Sequence, residues 1–306
     1  MGTPQFAVPS LQALIDNKYD VIAAFTQPDR PAGRGNKLTA CPVKLLAEAN
    51  GIPVYQFEKV RVKAGRELIE SLQPDLIVTA AFGQILSQRI LDIPPLGTLN
   101  VHASLLPKFR GSAPINRAIA MGEKKTGVTT MFTDKGIDTG DMALSAETEI
   151  GENETAGELT DRLSVIGADL LIETIHRIEE GTCPRIKQDE SQMSHQPMLS
   201  REDGKIDWTK SSEEIGCMVR GYNPWPGTYC DLPDGGVLKL WMAKPVSCEL
   251  TGEPGQILVS SAKKGLIVAC GQGALEIIEM QAPNSKRMGA KAYLMGKTIP
   301  EGSILK

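Results

Sequence analysis

No apolar run in the 306-residue sequence approaches the roughly 18–20 residues a membrane-spanning helix needs. The opening MGTPQFAVPS lacks a basic head running into an apolar core, so no secretory signal is read there. No C-x-x-C pair occurs among the six cysteines, Cys41, Cys183, Cys217, Cys230, Cys248 and Cys270. Thiols scattered in this way fit a reducing cytoplasm and argue against a disulfide frame or a zinc site. Positive charge is not in excess either. The formal net charge is −4, so no global field gathers a polyanion, and any contact with nucleic acid has to be local. Internal repeats and low-complexity segments are missing.

What is present is enough chain for two domains of roughly 100–200 residues each. The first two-thirds alternates short β-rich runs with amphipathic segments, the pattern of an α/β domain with a mostly parallel sheet covered by helices. Strands are expected at Asp20–Thr26, Leu76–Ala81, Thr98–His102 and Gly127–Phe132, and helices at Pro9–Asn17, Pro42–Asn50, Gly65–Leu72 and Glu158–Glu180. A polar tract from Pro184 to Lys205 lacks periodicity and reads as a linker. A short helix follows in SSEEIGCMVRG, and then strand-like runs separated by PDGG and CGQG suggest a small all-β barrel. The aromatics Tyr222, Trp225 and Tyr229 read as packing between that helix and the barrel. His176 and His195 read as surface residues.

One local basic stretch stands out. Thr26–Lys44 carries Arg30, Arg34, Lys37 and Lys44 against a single acid, Asp29, in a loop rich in Pro and Gly. Its plain reading is a solvated surface loop; the sharper one is a contact for RNA phosphate.

In the strand Thr98–His102, Asn100 and His102 are two positions apart and so share a face. LLP and a Gly-bearing turn follow at once, placing the pair at the strand's C-terminal end, where parallel sheets have their ligand crevices. The loop TDKGIDTGDMAL adds Asp134, Asp138 and Asp141. Acids in such a turn commonly bond their own backbone, and the alternative is that one carboxylate reaches the histidine. Asn, His and Asp together would suit acyl transfer: amide and imidazolium donate to a developing oxyanion, and a carboxylate takes the proton lost by an attacking amine. No Ser or Cys stands in a nucleophile motif, which favours direct transfer over a covalent intermediate.

The motifs GTPxFA at Gly2–Ala7, TQPDRPAGRG at Thr26–Gly35, NVHASLLP at Asn100–Pro107, DTGD at Asp138–Asp141, IDW at Ile206–Trp208 and NPWP at Asn223–Pro226 occur in one order. On these the chain resembles the methionyl-tRNA formyltransferase family over nearly its whole length. The resemblance implies a Rossmann-like formyltransferase domain at 1–183, a linker at 184–205 and an OB-like, tRNA-binding β-barrel domain at 206–306. It implies formyl transfer from 10-formyltetrahydrofolate to the α-amino group of initiator methionyl-tRNA, without a metal, by a cytoplasmic monomer. Asn100, His102 and Asp138 become the catalytic three, with Asp138 orienting His102. Ser104, Leu105, Leu106 and Pro107 become the lining of the folate site. Arg34 becomes the residue that wedges against the acceptor stem, with Arg30 and Lys37 beside it as phosphate contacts.

The sequence departs from the family in one respect. A short apolar strand normally runs into GTP, and here Met1 directly precedes Gly2. That strand would be central, and its loss would exceed the usual stability margin of about 5–15 kcal/mol. The expectation is that the native start lies a few codons upstream or that the chain has been cut. The competing readings are another folate-dependent formyltransferase or deformylase, and a catalytically dead tRNA-binding homologue.

Overall fold

The computed structural model describes residues 1–32, 35 and 37–306. The chain divides into two compact units, one made of Met1–Pro114, Lys125–Glu149 and Thr160–Gln196, the other of Ile115–Lys124, Ile150–Leu159 and Pro197–Lys306. Among the described residues no helix is long and apolar enough to cross a membrane.

The strands of the first unit are β1 (Ala24–Thr26), β2 (Arg30–Ala32), β3 (Lys37–Thr39), β4 (Val54–Gln56), β5 (Ile77–Ala80), β6 (Thr98–His102), β7 (Arg110–Gly111), β8 (Lys125–Phe132), β9 (Met142–Glu149) and β10 (His195–Gln196). Helices α1 (Val8–Asp16), α2 (Pro42–Ala49), α3 (Lys63–Leu72) and α4 (Gln88–Leu91) alternate with them; α5 (Pro114–Ala120) lies almost wholly in the second unit, and α6 (Ala156–Glu179) belongs to the first unit from Thr160 on. Both α1 and α2 begin with a proline in the first turn, where its missing N–H costs nothing.

Parallel pairs are β1 with β4, β5 with β6, and β7 with β10. The Gly127–Phe132 segment starts earlier than expected, at Lys125, and runs antiparallel to both β6 and β9. It is buried from Thr126 to Phe132, whereas β9 alternates between sheltered and exposed residues, as a strand with one open face does.

Met1 and Gly2 lie between β1 and β5. Gly2 N–H donates to Phe25 O at 3.0 Å, Ala80 N–H to Met1 O at 3.0 Å, and the Met1 ammonium to Val78 O at 2.6 Å. A Cβ on Gly2 would come within 2.7 Å of Ala7 Cβ and 2.9 Å of Ala80 O, so only glycine fits there. Burial pushes the Met1 ammonium down to about 5. Alongside these two residues is a cavity of about 560 Å³ lined by apolar side chains that include Leu11, Phe25, Val43, Ile69, Val78 and Ile175.

The Pro184–Lys205 tract is divided between the units. Ile186 and Met142 exchange two backbone hydrogen bonds of 2.8 Å, and β10 pairs with β7. This part is therefore held by the first unit, with polar partners that leave no apolar period in its sequence.

In the second unit, β11 (Thr228–Asp231), β12 (Val237–Val246), β13 (Ile257–Ser261), β14 (Gly265–Ala269), β15 (Ala274–Gln281) and β16 (Met288–Gly289) form an antiparallel sheet in the order β11-β12-β15-β14-β13, with β16 on β15. The strand pairings among the described residues leave this order open. Helix α7 (Ser212–Gly221) starts with a capping box, Ser211 with Glu214, and buries Ile215 and Val219 in a core with Leu238, Leu240, Leu275 and Ile277. A short α8 (Ala290–Tyr293) adds Ala290 to the same core. Of the three aromatics expected to pack, Tyr222 is buried and accepts a 2.9 Å hydrogen bond from Arg117, Tyr229 is half-buried, and Trp225 is 52 % exposed.

Candidate active site

The side chains of Asn100 and His102 share one face at the C-terminal end of β6, as the two-residue period of a strand requires. His102 is only 6 % exposed. Its Nε2 is 3.0 Å from the carbonyl oxygen of Phe109. A carbonyl can only accept, so Nε2 carries hydrogen and donates, and Nδ1 is the ring nitrogen turned toward Asp138 Oδ2, at 3.6 Å. That separation exceeds a direct hydrogen bond. Orientation of the ring, expected of Asp138, is therefore supplied by the Phe109 carbonyl.

Asp138 has its own anchor, since Oδ2 accepts a 2.9 Å hydrogen bond from Gly111 N–H. Its backbone is left-handed, with φ +52°, a conformation Asp tolerates better than most residues. A side chain at Gly140, two residues on, would overlap the Phe132 carbonyl, so the tight return of the DTGD turn needs glycine there. The other two acids are spent elsewhere. Asp134 Oδ1 accepts from Gly136 N–H and Thr139 Oγ1 at 2.9 and 2.6 Å, and Asp141 accepts from Lys187 Nζ at 2.9 Å. Only the middle acid of the loop reaches the histidine.

Two further residues set the geometry. Thr79 Oγ1 donates to Asn100 Oδ1 at 2.8 Å, which fixes the amide with its NH₂ at the opposite end. Gln188 Nε2 donates to Asp138 O and Gly140 O, both at 2.8 Å, while its Oε1 accepts from the buried Arg110 at 2.9 Å. Neither was visible in the sequence. Thr79 faces Asn100 only through strand register, and Gln188 lies in a tract without periodicity.

The Ser104–Pro107 run turns back into the protein. Ser104 is fully buried, and its hydroxyl donates to Lys108 O at 2.6 Å. Leu106 is buried, and Leu105 and Pro107 are half-buried. Thr129 Oγ1 secures the run by donating to Ser104 O at 2.7 Å and accepting from Leu106 N–H at 3.2 Å.

In the basic loop, β2 and β3 form an antiparallel hairpin with Arg30 opposite Thr39 and Ala32 opposite Lys37. Arg30 and Lys37 are exposed, and Arg30 pairs with Glu58 at 2.7 Å. Arg34 lies outside the described residues. At the hairpin's base Lys44 Nζ donates to Asp29 Oδ2 at 2.6 Å, and Gln56 Nε2 donates to Asp29 Oδ1 at 2.9 Å. The Lys44 hydrogen bond first, and the Gln56 amide second, hold the Asp29 carboxyl below its ordinary value.

A buried, oriented imidazole facing a carboxylate, next to an amide whose oxygen is already taken, is a constellation for transferring an acyl group to an amine. Comparison with known proteins gives the class. Residues 1–175 match the family described as formyl transferase, and residues 198–298 match its C-terminal domain; the chain belongs to the formyl transferase family. Within that family it stands with the methionyl-tRNA formyltransferases. Proteins of that name from Alkaliphilus metalliredigens and Clostridioides difficile are 51% and 50% identical over 305 residues, covering 100% of this chain and 96% and 98% of theirs. Among solved structures, WlaRD, a sugar 3N-formyl transferase in the presence of dTDP and 5-N-formyl-THF, aligns with a TM-score of 0.66 at 20% identity over 93% of this chain and 97% of that one. HypX from Aquifex aeolicus in complex with tetrahydrofolic acid gives 0.59 at 19% identity over 90% of this chain and 47% of that one. At those identities the likeness is one of fold.

Proposed function

We propose that the chain transfers the formyl group of 10-formyltetrahydrofolate to the α-amino group of initiator methionyl-tRNA, with Asn100, His102 and Asp138 as its catalytic groups. The observation that carries the chemistry is the 3.6 Å approach of Asp138 Oδ2 to His102 Nδ1 beside Asn100 on the same strand face. The substrate follows from the name shared by relatives about half identical over the whole chain.

In this reading the Asn100 NH₂ donates to the formyl oxygen as the tetrahedral centre forms, and the His102 ring joins it once Nδ1 has taken up a proton. The attacking α-amine has an ordinary pKa of roughly 7.7–8.0, so a useful fraction is already neutral near physiological pH. As its nitrogen bonds to the formyl carbon it gives up a proton to Asp138, directly or through a water. The bond from carbon to the folate nitrogen breaks, and the same proton is returned to that nitrogen through His102 Nδ1. One C–N bond forms, one breaks, and no external proton is consumed.

The folate cosubstrate is assigned to Ser104, Leu105, Leu106 and Pro107. The buried Ser104 hydroxyl is already bonded to Lys108 O, so it shapes the turn, and the ligand contacts fall to the other three. Residues 1–183 form the catalytic part and 206–306 the tRNA-binding part, joined through 184–205. Arg30, Arg34 and Lys37 contact the acceptor stem. An OB-like barrel for the second part is supported by its last residues: Lys306 exchanges backbone hydrogen bonds with Asp231 beside one edge strand, and Leu305 and Ser303 bond Gly255 and Ile257 at the other. The enzyme acts as a cytoplasmic monomer and uses no metal.

The test supplies labelled 10-formyltetrahydrofolate with charged initiator tRNA, charged elongator tRNA, free methionine and an amino-sugar nucleotide in parallel. Label on initiator methionyl-tRNA alone is the expected result. Label on the sugar nucleotide, or formate released without tRNA, would replace this reading by another.

A further inference from the structure

Residues 176–197 lie outside both segments matched to the family, yet they reach both His102 and Asp138 of the catalytic three. On one side Gln188, itself buried, donates from Nε2 to the carbonyls of Asp138 and Gly140 at 2.8 Å each. This clamps the turn at the residue whose φ is +52°. Its Oε1 accepts from Nε of Arg110, which is 3 % exposed and held by Glu190 at 2.7 and 3.0 Å. On the other side Ser194 Oγ accepts from Phe109 N–H at 2.8 Å, and the Phe109 carbonyl is what His102 Nε2 donates to. Directly after Ser194, β10 pairs with β7, whose Gly111 N–H donates to Asp138 Oδ2.

We infer that residues 186–196 are a strap that sets the distance between Asp138 and His102, and that Gln188 is its principal positioning residue. The inference rests on the catalytic assignment proposed above. Three features of the strap make it a positioning device. Gln188 bonds the Asp138 main chain and leaves the carboxylate to Gly111 and His102. The strap holds Asp138 and His102 through separate residues, Gln188 and Ser194. Both contacts return to one run, Phe109–Gly111, so the carboxylate and the ring are registered to a common segment. Left-handed backbone at a non-glycine residue relaxes unless its surroundings over-determine it, and two hydrogen bonds from one amide to carbonyls two residues apart supply that constraint. A shift of about 1 Å in a catalytic group is enough to cost about a hundredfold in rate.

The test uses the full chain and a double-mutant cycle. Gln188→Glu keeps an oxygen for Arg110 and so keeps the buried guanidinium satisfied, but removes both N–H donors; Gln188→Met removes both functions. Single-turnover formyl transfer to charged initiator tRNA is measured for these, for Asp138→Ala, and for Gln188→Glu combined with Asp138→Ala. With wild-type melting temperature, Gln188→Glu is expected to lower kcat by about tenfold to a hundredfold, the loss of two hydrogen bonds, while KM for both substrates stays within about twofold. The double variant is expected to be no slower than Asp138→Ala, because a displaced turn has no effect once its carboxylate is gone. Full activity in Gln188→Glu while Asp138→Ala is slow would overturn the strap and leave the catalytic assignment standing, as would a double variant slower by the product of the two effects. Full activity in Asp138→Ala would remove the assignment itself, and the strap with it.

Discussion

Thr79 and Asn100 are register partners on the parallel strands β5 and β6, and the Thr79 hydroxyl donates to Asn100 Oδ1 across 2.8 Å. An amide has its acceptor and its donors at opposite ends, so holding the oxygen aims the NH₂. His102 is handled in the same way, with one nitrogen committed to the Phe109 carbonyl and the other turned toward Asp138. Each group has its structural end bonded to protein and its other end directed into the site. Donors fixed before the reaction need no reorganisation when charge develops on the formyl oxygen.

Thr79→Val keeps the shape and β-branching of a buried strand residue and removes only the hydroxyl. Without it the Asn100 amide turns freely, and kcat is expected to fall about tenfold, the worth of one buried hydrogen bond, with KM for both substrates unchanged. Thr79→Ser should recover most of the rate. Steady-state kinetics on the three proteins checks this.

The Asp29–Lys44 pair ties α2 to the base of the hairpin assigned to tRNA, and Lys44→Met should raise KM for methionyl-tRNA by a few-fold while KM for the folate is unchanged. The pH dependence has a definite sign. Asp29 is depressed in the folded chain, so its contact is complete above the ordinary carboxylate range and is lost only as pH falls through the lowered value. The KM difference between wild type and Lys44→Met should therefore be constant from neutral pH down to that range and shrink below it.

Cys230 and Cys270 are both pushed up to about 12 by burial. Thiolate is the reactive form, so neither should be alkylated in the native protein at neutral pH. The partly exposed Cys41, Cys217 and Cys248 should be labelled first. Peptide mass spectrometry after timed iodoacetamide treatment distinguishes the two sets.

The sequence carried the local parts of this site. Asn100 and His102 follow from a two-residue period in a strand whose limits, Thr98–His102, are those observed. A helical apolar period likewise marked α6 to within two residues of Ala156–Glu179. Strand β9 stayed hidden because MALSAETE mixes acids and small residues on its open face, and without it the antiparallel run of β8 had no visible partner. The supporting hydrogen bonds were beyond reach for another reason. Gln188 is 50 residues from Asp138, and its partners there are backbone carbonyls, which leave no pattern in side-chain order. Polar residues that serve the main chain of a distant loop look like a linker.

The most direct test of the account is the single-turnover rate of formyl transfer to charged initiator tRNA by Asn100→Ala, with both substrates saturating. Losing a donor to the oxyanion predicts a rate lower by about 10²–10³-fold with substrate binding retained. A rate equal to wild type would contradict the catalytic assignment.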